Sequence, residues 1–288
     1  MTNLSRRSAL LSAVTLAGAS GLSDAAAGAS PPRRSSPGAA AGSQTHRFEM
    51  NIEDTRITLV GTQTFHTFAY GGQVPGPLFH VRHGDQMEVT VNNLTALPHT
   101  IHWHGMIQRG TWRSDGVPDM TQPAIAPGDS FTYKFTADPA GTYWYHCHVN
   151  VNEHVATRGM WGPLIVEPKT QLPIEKQVTA DYVLMLSEWA SHWADKPGQG
   201  GMPGDVFDYF TINGKAFPDT QPLRVKQGDL IRLRLIGAGE NPHSIHVHGH
   251  VFQIVFKDGH PLPGPISGDT VFVGPGERYD IFIRCDNP

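Results

Sequence analysis

Pro98-His99-Thr100-Ile101-His102-Trp103-His104-Gly105 sets two histidines two positions apart, and Tyr145-His146-Cys147-His148 repeats that spacing around a cysteine. Residues two apart on a strand share one face. His102 with His104, and His146 with His148, therefore present imidazoles on a common side, while His99 and Cys147 fall on the other. By this parity His99 and Cys147 converge inside a β unit, and the remaining four imidazoles project together out of it. His154 and Met160 follow Cys147 after a short loop. Two imidazoles, a thiolate and a thioether form a soft trigonal site with a weak axial sulfur, which selects copper and gives an electron-transfer centre of the blue type. The outward imidazoles suit further copper ions. Because Cys147 is bonded through the backbone to both His146 and His148, an electron reaching its thiolate has a short covalent route to the outward set.

The elements that must hold these residues are strands. Met87, Val89 and Val91, then Phe131, Tyr133 and Phe135, Ile231, Leu233 and Leu235, and Tyr279, Ile281 and Ile283 alternate at period two between Gly, Pro, Asn and Asp. This pattern predicts half-buried strands of an antiparallel sandwich or barrel. The stretch Tyr182 to Ala194 is expected to have helical character. An internal repeat organises the rest: Gly84-Asp85 and Pro98 to Gly105 recur as Gly228-Asp229 and Pro242-His243-Ser244-Ile245-His246-Val247-His248-Gly249, at an offset of 144 positions. Pro127-Gly128-Asp129 and Pro275-Gly276-Glu277 recur at 148. Two copies of one β domain follow, at 46–170 and 178–288.

Composition agrees with this reading. The chain of 288 residues has 31 Gly and 23 Pro, with 17% charged residues, which suits a turn-rich β protein. A net charge of −4 gives no basis for binding nucleic acid. Two cysteines exclude a disulfide framework, and 16 histidines raise the question of metal. Residues 1–30 read as an export signal, with Arg6-Arg7 ahead of the apolar run Ala9 to Leu22 and small residues at Ala25-Ala26-Ala27. The paired arginines resemble a twin-arginine signal. Residues 31–45 read as a disordered linker. No stretch is long enough to span a membrane, so the mature protein is expected to be soluble, and periplasmic or extracellular.

The motifs His102-Trp103-His104-Gly105, Asp115-Gly116-Val117-Pro118 with Thr121-Gln122 and Pro127-Gly128, His146-Cys147-His148, and His243 to His250 resemble those of multicopper oxidases, laccase-like enzymes built from cupredoxin domains. The likeness runs from about residue 50 to 288 and points to the two-domain subfamily. The resemblance implies an all-β fold of two tandem cupredoxin-like Greek-key sandwich or barrel domains. It implies a type 1 copper held by His99, Cys147, His154 and Met160, and a trinuclear copper cluster using His102, His104, His146, His148, His246 and His248. His243 occupies the type 1 position of the second repeat, as a copper ligand or as a structural residue. Asp115 matches a residue that assists proton delivery to oxygen in relatives. The implied activity is one-electron oxidation of a phenolic or similar small-molecule reductant, with dioxygen reduced to water. About four copper ions per complete set are implied, in a homotrimer whose clusters form between subunits. The family cluster takes eight histidines. The repeat offset puts the two counterparts of His146 and His148 near positions 294 and 296, so the second domain is expected to lack its last strands.

Two rivals stay open at this stage. His154 and Met160 lie seven and thirteen positions after Cys147, a longer spacing than three-domain laccases use and similar to copper nitrite reductases. That family has a single His before the Cys and none after it, and His148 departs from this. A non-catalytic periplasmic copper-binding or electron-transfer protein is the other rival. Cys285 reads as a buried unreactive thiol, His66, His80, His83, His192 and His260 as surface or structural residues, and Trp103 and Trp144 as core aromatics beside the sites.

Overall fold

The computed structural model describes residues 42–193, 195 and 206–287. The expected export signal and nearly all of the expected linker lie outside the described residues. Alternation makes the strands of the first repeat. Gln86–Asn93 buries Met87, Val89 and Val91 completely and turns Gln86, Glu88, Thr90 and Asn92 away from the core. It runs parallel to Thr45–Val60 and antiparallel to Ser130–Thr136, in a four-stranded sheet completed by Gln63–Tyr70. A second four-stranded sheet is ordered Phe79–Arg82, Trp161–Glu167, Gly141–His146 and His102–His104, and it carries the histidine motifs. Sheet neighbours that are not consecutive in the chain require connections that cross between the sheets, as in Greek-key sandwiches. Phe79, Trp103, Tyr133, Phe135, Tyr145, Cys147 and Met160 belong to the core between them.

The second repeat reproduces the pairing. Leu230–Gly237 lies parallel to Ala180–Trp189 and antiparallel to Arg278–Arg284, within a seven-stranded sheet. It has its own core, including Tyr182, Leu184, Leu233, Phe252, Val273 and Ile281. A third apolar cluster joins the repeats, packing Phe65, Trp144 and Trp161 against Met185, Trp189 and Ile236.

This junction overturns two sequence expectations. The stretch from Tyr182 is not an α-helix: Ala180–Trp189 is a strand, a short 3-10 helix, Ser191–Trp193, follows it, and Ala194 lies outside the described residues. Tyr182, Leu184 and Leu186 enter the second core while Met185 and Trp189 enter the junction. Burial on both faces produces a continuous apolar run that the period alone cannot separate from a helix. Leu230–Gly237, expected to be half-buried, is buried along its whole length. Its polar face turns to the junction, where Arg234 donates to Thr142 Oγ1 at 2.7 Å and pairs with Asp181 at 2.9 Å. Arg232 pairs with Glu175 at 3.0 Å. Buried guanidinium groups persist only with such partners.

Candidate copper centres

The inward set forms as parity requires. Cys147 is fully buried at the end of Gly141–His146, with its Sγ 3.8 Å from His99 Nδ1 and 3.3 Å from His154 Nδ1. The ligand atoms of these three residues lie within 4.8 Å of one another. The His99 ring is oriented from behind. Thr95 Oγ1 lies 2.8 Å from His99 Nε2, and the hydroxyl has carbonyl acceptors at Asn93 Oδ1 (2.8 Å) and Leu97 (3.1 Å). With its own hydrogen given there, Thr95 accepts the Nε2 proton and leaves Nδ1 facing the sulfur as a free base. Asn93 and Thr95 escaped sequence reasoning because a polar pair at a strand end reads as an ordinary turn.

The loop after Cys147 folds back to it. The Met160 amide donates to His154 O at 2.9 Å, and the Cys147 amide donates to Met160 O at 3.0 Å. Met160 is fully buried in the same core as Cys147. The extra loop length is taken up by the short helix Val151–His154 and by a buried ion pair, Glu153–Arg158 at 3.4 Å, neither member of which the sequence singled out.

The protonation states suit a metal. Burial, with a smaller contribution from His154, holds His99 down to about 3, and burial with the Arg158 charge holds His154 down to about 4. Both rings are therefore neutral bases at ordinary pH. Burial pushes the Cys147 thiol up to about 11, so the sulfur keeps its proton at ordinary pH unless a cation takes the proton's place. Neutral imidazoles around a buried sulfur and an adjacent thioether residue form a donor set that fits copper.

The outward set lies on the other side of the same strands. His102 is paired across the sheet with His146, and His104 with Trp144. Ligand atoms of His102, His104 and His146 lie within 4.8 Å of one another, and the His148 ring centroid is 5.4 Å from that of His102. Backbone carbonyls orient two of these rings: Asp115 O is 2.7 Å from His102 Nδ1, and Cys147 O is 2.8 Å from His146 Nδ1. Burial brings His104 down to about 3, with a smaller contribution from Arg278, and lowers His146 well below its ordinary value. The Asp115 carboxylate approaches His102 Nδ1 at 3.6 Å and keeps about a quarter of its side chain exposed, at 26%. Gly116 explains the motif around it, because a methyl carbon there would fall 1.7 Å from Ile101 O. Trp144 is a core aromatic beside the outward set, as expected. It stacks on His104 at 5.0 Å between centroids and lies 4.4 Å from His146.

The second repeat differs. His246 and His248 lie together, ring centroids 4.8 Å apart, and both are exposed. Among the described residues neither joins the compact group of His102, His104 and His146. His246 Nδ1 lies 2.9 Å from Asp269 O. His243 meets the buried carboxylate of Glu188 at 3.1 Å, and the same carboxylate accepts the backbone amides of Glu240 and Asn241. Cys285 is buried at the end of Arg278–Arg284. His66, His80 and His83 pair with Asp54, Glu167 and Asp138 at 2.6, 2.7 and 3.0 Å.

Comparison with known proteins follows this division. Residues 51–171 and 188–288 match two family models, each described as multicopper oxidase. The chain is 32% identical over 263 residues to Laccase-2 of Botryotinia fuckeliana, covering 84% of this chain and 43% of that protein. It is 29% identical over 268 residues to multicopper oxidase MmcO of Mycobacterium tuberculosis, covering 81% and 50%. It thus spans about half the length of these curated relatives. The crystal structure of blue copper oxidase from Nitrosomonas europaea superposes with a TM-score of 0.84 at 70% identity, covering 85% of this chain and 77% of that one. The match identifies the all-β architecture as the cupredoxin fold. With two matching models over most of its length and a solved relative of high identity, the chain belongs to the multicopper oxidase family, whose cofactor is copper.

Proposed function

We propose that the protein is a laccase-like copper oxidase. His99, Cys147, His154 and Met160 hold a type 1 copper. His102, His104, His146 and His148, with His246 and His248, hold a trinuclear set, about four ions in all. One observation carries this reading: the Cys147 side chain touches His99 and His154, while its two chain neighbours turn outward to His102 and His104. When bound, copper supplies one-electron acceptance from a phenolic or similar small-molecule reductant in the inward set and reduction of dioxygen to water in the outward set.

The protein's own residues do the rest. Full burial of Cys147, His99 and Met160 keeps water from the sulfur and holds the imidazoles unprotonated for ligation. Thr95 and the carbonyls of Asp115 and Cys147 set ring orientation. The backbone of His146-Cys147-His148 links the two sets covalently. Asp115, about a quarter exposed beside His102, is placed to relay protons to the outward set.

Residues 46–170 and 178–288 act as two cupredoxin units in this reading, supported by two separate cores. A homotrimer, with the second unit of one subunit completing the cluster of its neighbour, is supported by the exposure of His246 and His248. Arg6-Arg7 and the apolar run after it support export to the periplasm or beyond.

Copper analysis and gas exchange on one preparation test the proposal. The expected result is about four copper ions per chain, dioxygen uptake with a phenolic reductant, and no nitrite turnover. About one ion per chain without uptake would leave an electron carrier. Nitrite turnover in place of dioxygen uptake would overturn the oxidase.

A further inference from the structure

Each repeat carries a proline–glycine–acid turn, and the chemistry above uses neither. Gly128 and Gly276 both sit at positive φ, +82° and +79°, where side chains are strained. Their surroundings differ. A methyl carbon built on Gly128 meets nothing within 4 Å, whereas on Gly276 it would lie 3.1 Å from His104 Cε1 and 3.4 Å from His104 Nε2. The second-repeat turn thus bounds one edge of a first-repeat imidazole whose face is covered by Trp144 and whose Nδ1 lies 3.3 Å from His146 Nε2.

That turn is held rigidly. The Gly276 amide donates to Gly237 O at 2.8 Å, and the Gly237 amide donates to Glu277 O at 3.0 Å. The Glu277 carboxylate accepts the Gly274 amide at 2.9 Å and Lys257 Nζ at 2.8 Å. Arg278, buried, then ties the turn to the first repeat. Its guanidinium donates to Gly276 O at 2.9 Å, Asp258 O at 3.1 Å and Thr142 O at 3.3 Å, and lies over the Tyr143 ring at 5.6 Å. Thr142 and Tyr143 belong to the strand that delivers His146. Arg278 also fills the space left by Gly105 next to His104, where a methyl carbon would sit 2.5 Å from its Nη2.

We propose that the turn 275–278 positions the His104 imidazole: Gly276 sets the clearance at the ring edge, and Arg278 fixes the spacing between the turn and the His146 strand. Each chain's second unit thereby tunes the metal affinity of the outward set on its own first unit. The proposal rests on the reading of His104 as a copper ligand. Gly128→Ala and Gly276→Ala impose the same backbone strain and differ only in what the methyl meets, so they form a matched pair.

Copper binding to the outward set is read by equilibrium competition with a chelator and by electron paramagnetic resonance of the imidazole-bound copper. The blue absorption reports the Cys147 set separately. Gly276→Ala is expected to weaken copper at the outward set about ten- to a hundredfold relative to Gly128→Ala, the range seen when groups that orient ligands are changed. The blue band is expected to stay intact in both. In the metal-free protein the His104 ring resonances, assigned with His104→Gln, are expected to shift in Gly276→Ala and not in Gly128→Ala. Should Gly276→Ala not fold, Arg278→Lys carries the same comparison, with a selective loss at the outward set expected. Equal affinities, spectra and ring shifts in the Gly128 and Gly276 variants would overturn the proposal. If His104→Gln itself retains the full copper content and an unchanged resonance spectrum, the ligand reading has failed instead.

Discussion

The two repeats carry the same His-x-His-Gly motif on the same kind of strand, yet their surroundings are different. In the first repeat the strand His102–His104 pairs with Gly141–His146, and the facing strand brings its own histidine, the buried His146. In the second, His243–His246 pairs with Thr270–Val273; His246 faces Thr270, and its side chain is 46% exposed. The same contrast holds three positions earlier. His99 meets Cys147 and His154, whereas His243 meets the carboxylate of Glu188. A His-x-His pair therefore sets a direction, and the strand across the sheet decides whether that direction leads to a compact group of imidazoles or to the exposed surface.

Three measurements sharpen or break this contrast. The largest effect belongs to the cysteines. Cys147→Ser is expected to abolish the blue absorption of the copper-loaded protein, and Cys285→Ser to leave it unchanged; a blue Cys147→Ser protein would end the assignment of the inward set. Next come the equivalent histidines. His99→Ala is expected to remove or strongly bleach the same band. His243→Ala is expected to preserve it and to cost about 1–3 kcal/mol in thermal unfolding of the metal-free protein, because the buried Glu188 carboxylate loses a donor. Loss of the blue band in His243→Ala would place a copper ligand in the second repeat.

A third test is a pH dependence. His99 and His104 are held at about 3 and His154 at about 4, against an ordinary 6.5, chiefly by burial. The unfolded chain thus binds more protons across that interval, so the metal-free protein loses stability as pH falls from about 6.5 toward 3, and is at full strength above 6.5. Calorimetry of the metal-free protein checks this, and His99→Gln should flatten the slope. A stability that does not change between pH 7 and pH 4 would mean that these rings are not buried neutral bases.

How much was legible in the sequence depended on the range of the cause. Period-two alternation placed Met87, Val89 and Val91 in a core and put His102 and His104 on one face, because both facts follow from the geometry of a single strand. Leu230–Gly237 shows the limit. Its alternation of Leu and Arg reads as one wet face, yet Arg232 and Arg234 are buried because Asp181 on the neighbouring strand, Glu175 in the segment between the repeats and Thr142 of the first repeat supply partners. Ala180–Trp189 failed for a related reason, its two dry faces belonging to two different cores. The orienting residues Asn93 and Thr95 and the clamp Glu153–Arg158 were invisible as chemistry, since nothing in their spacing shows what they touch.

The sequence by itself determined the donor types, the side of the strand on which each histidine lies, and the covalent join of His146, Cys147 and His148. These are properties of composition and local backbone period, and no packing can change them. Only the tertiary structure decided that His99 and His154 close on the same sulfur, that Glu188 occupies the corresponding place against His243, and that the turn at Gly276 stands against His104. Those contacts join residues far apart in the chain. They are set by which sheets pack face to face and by burial shared between the two repeats.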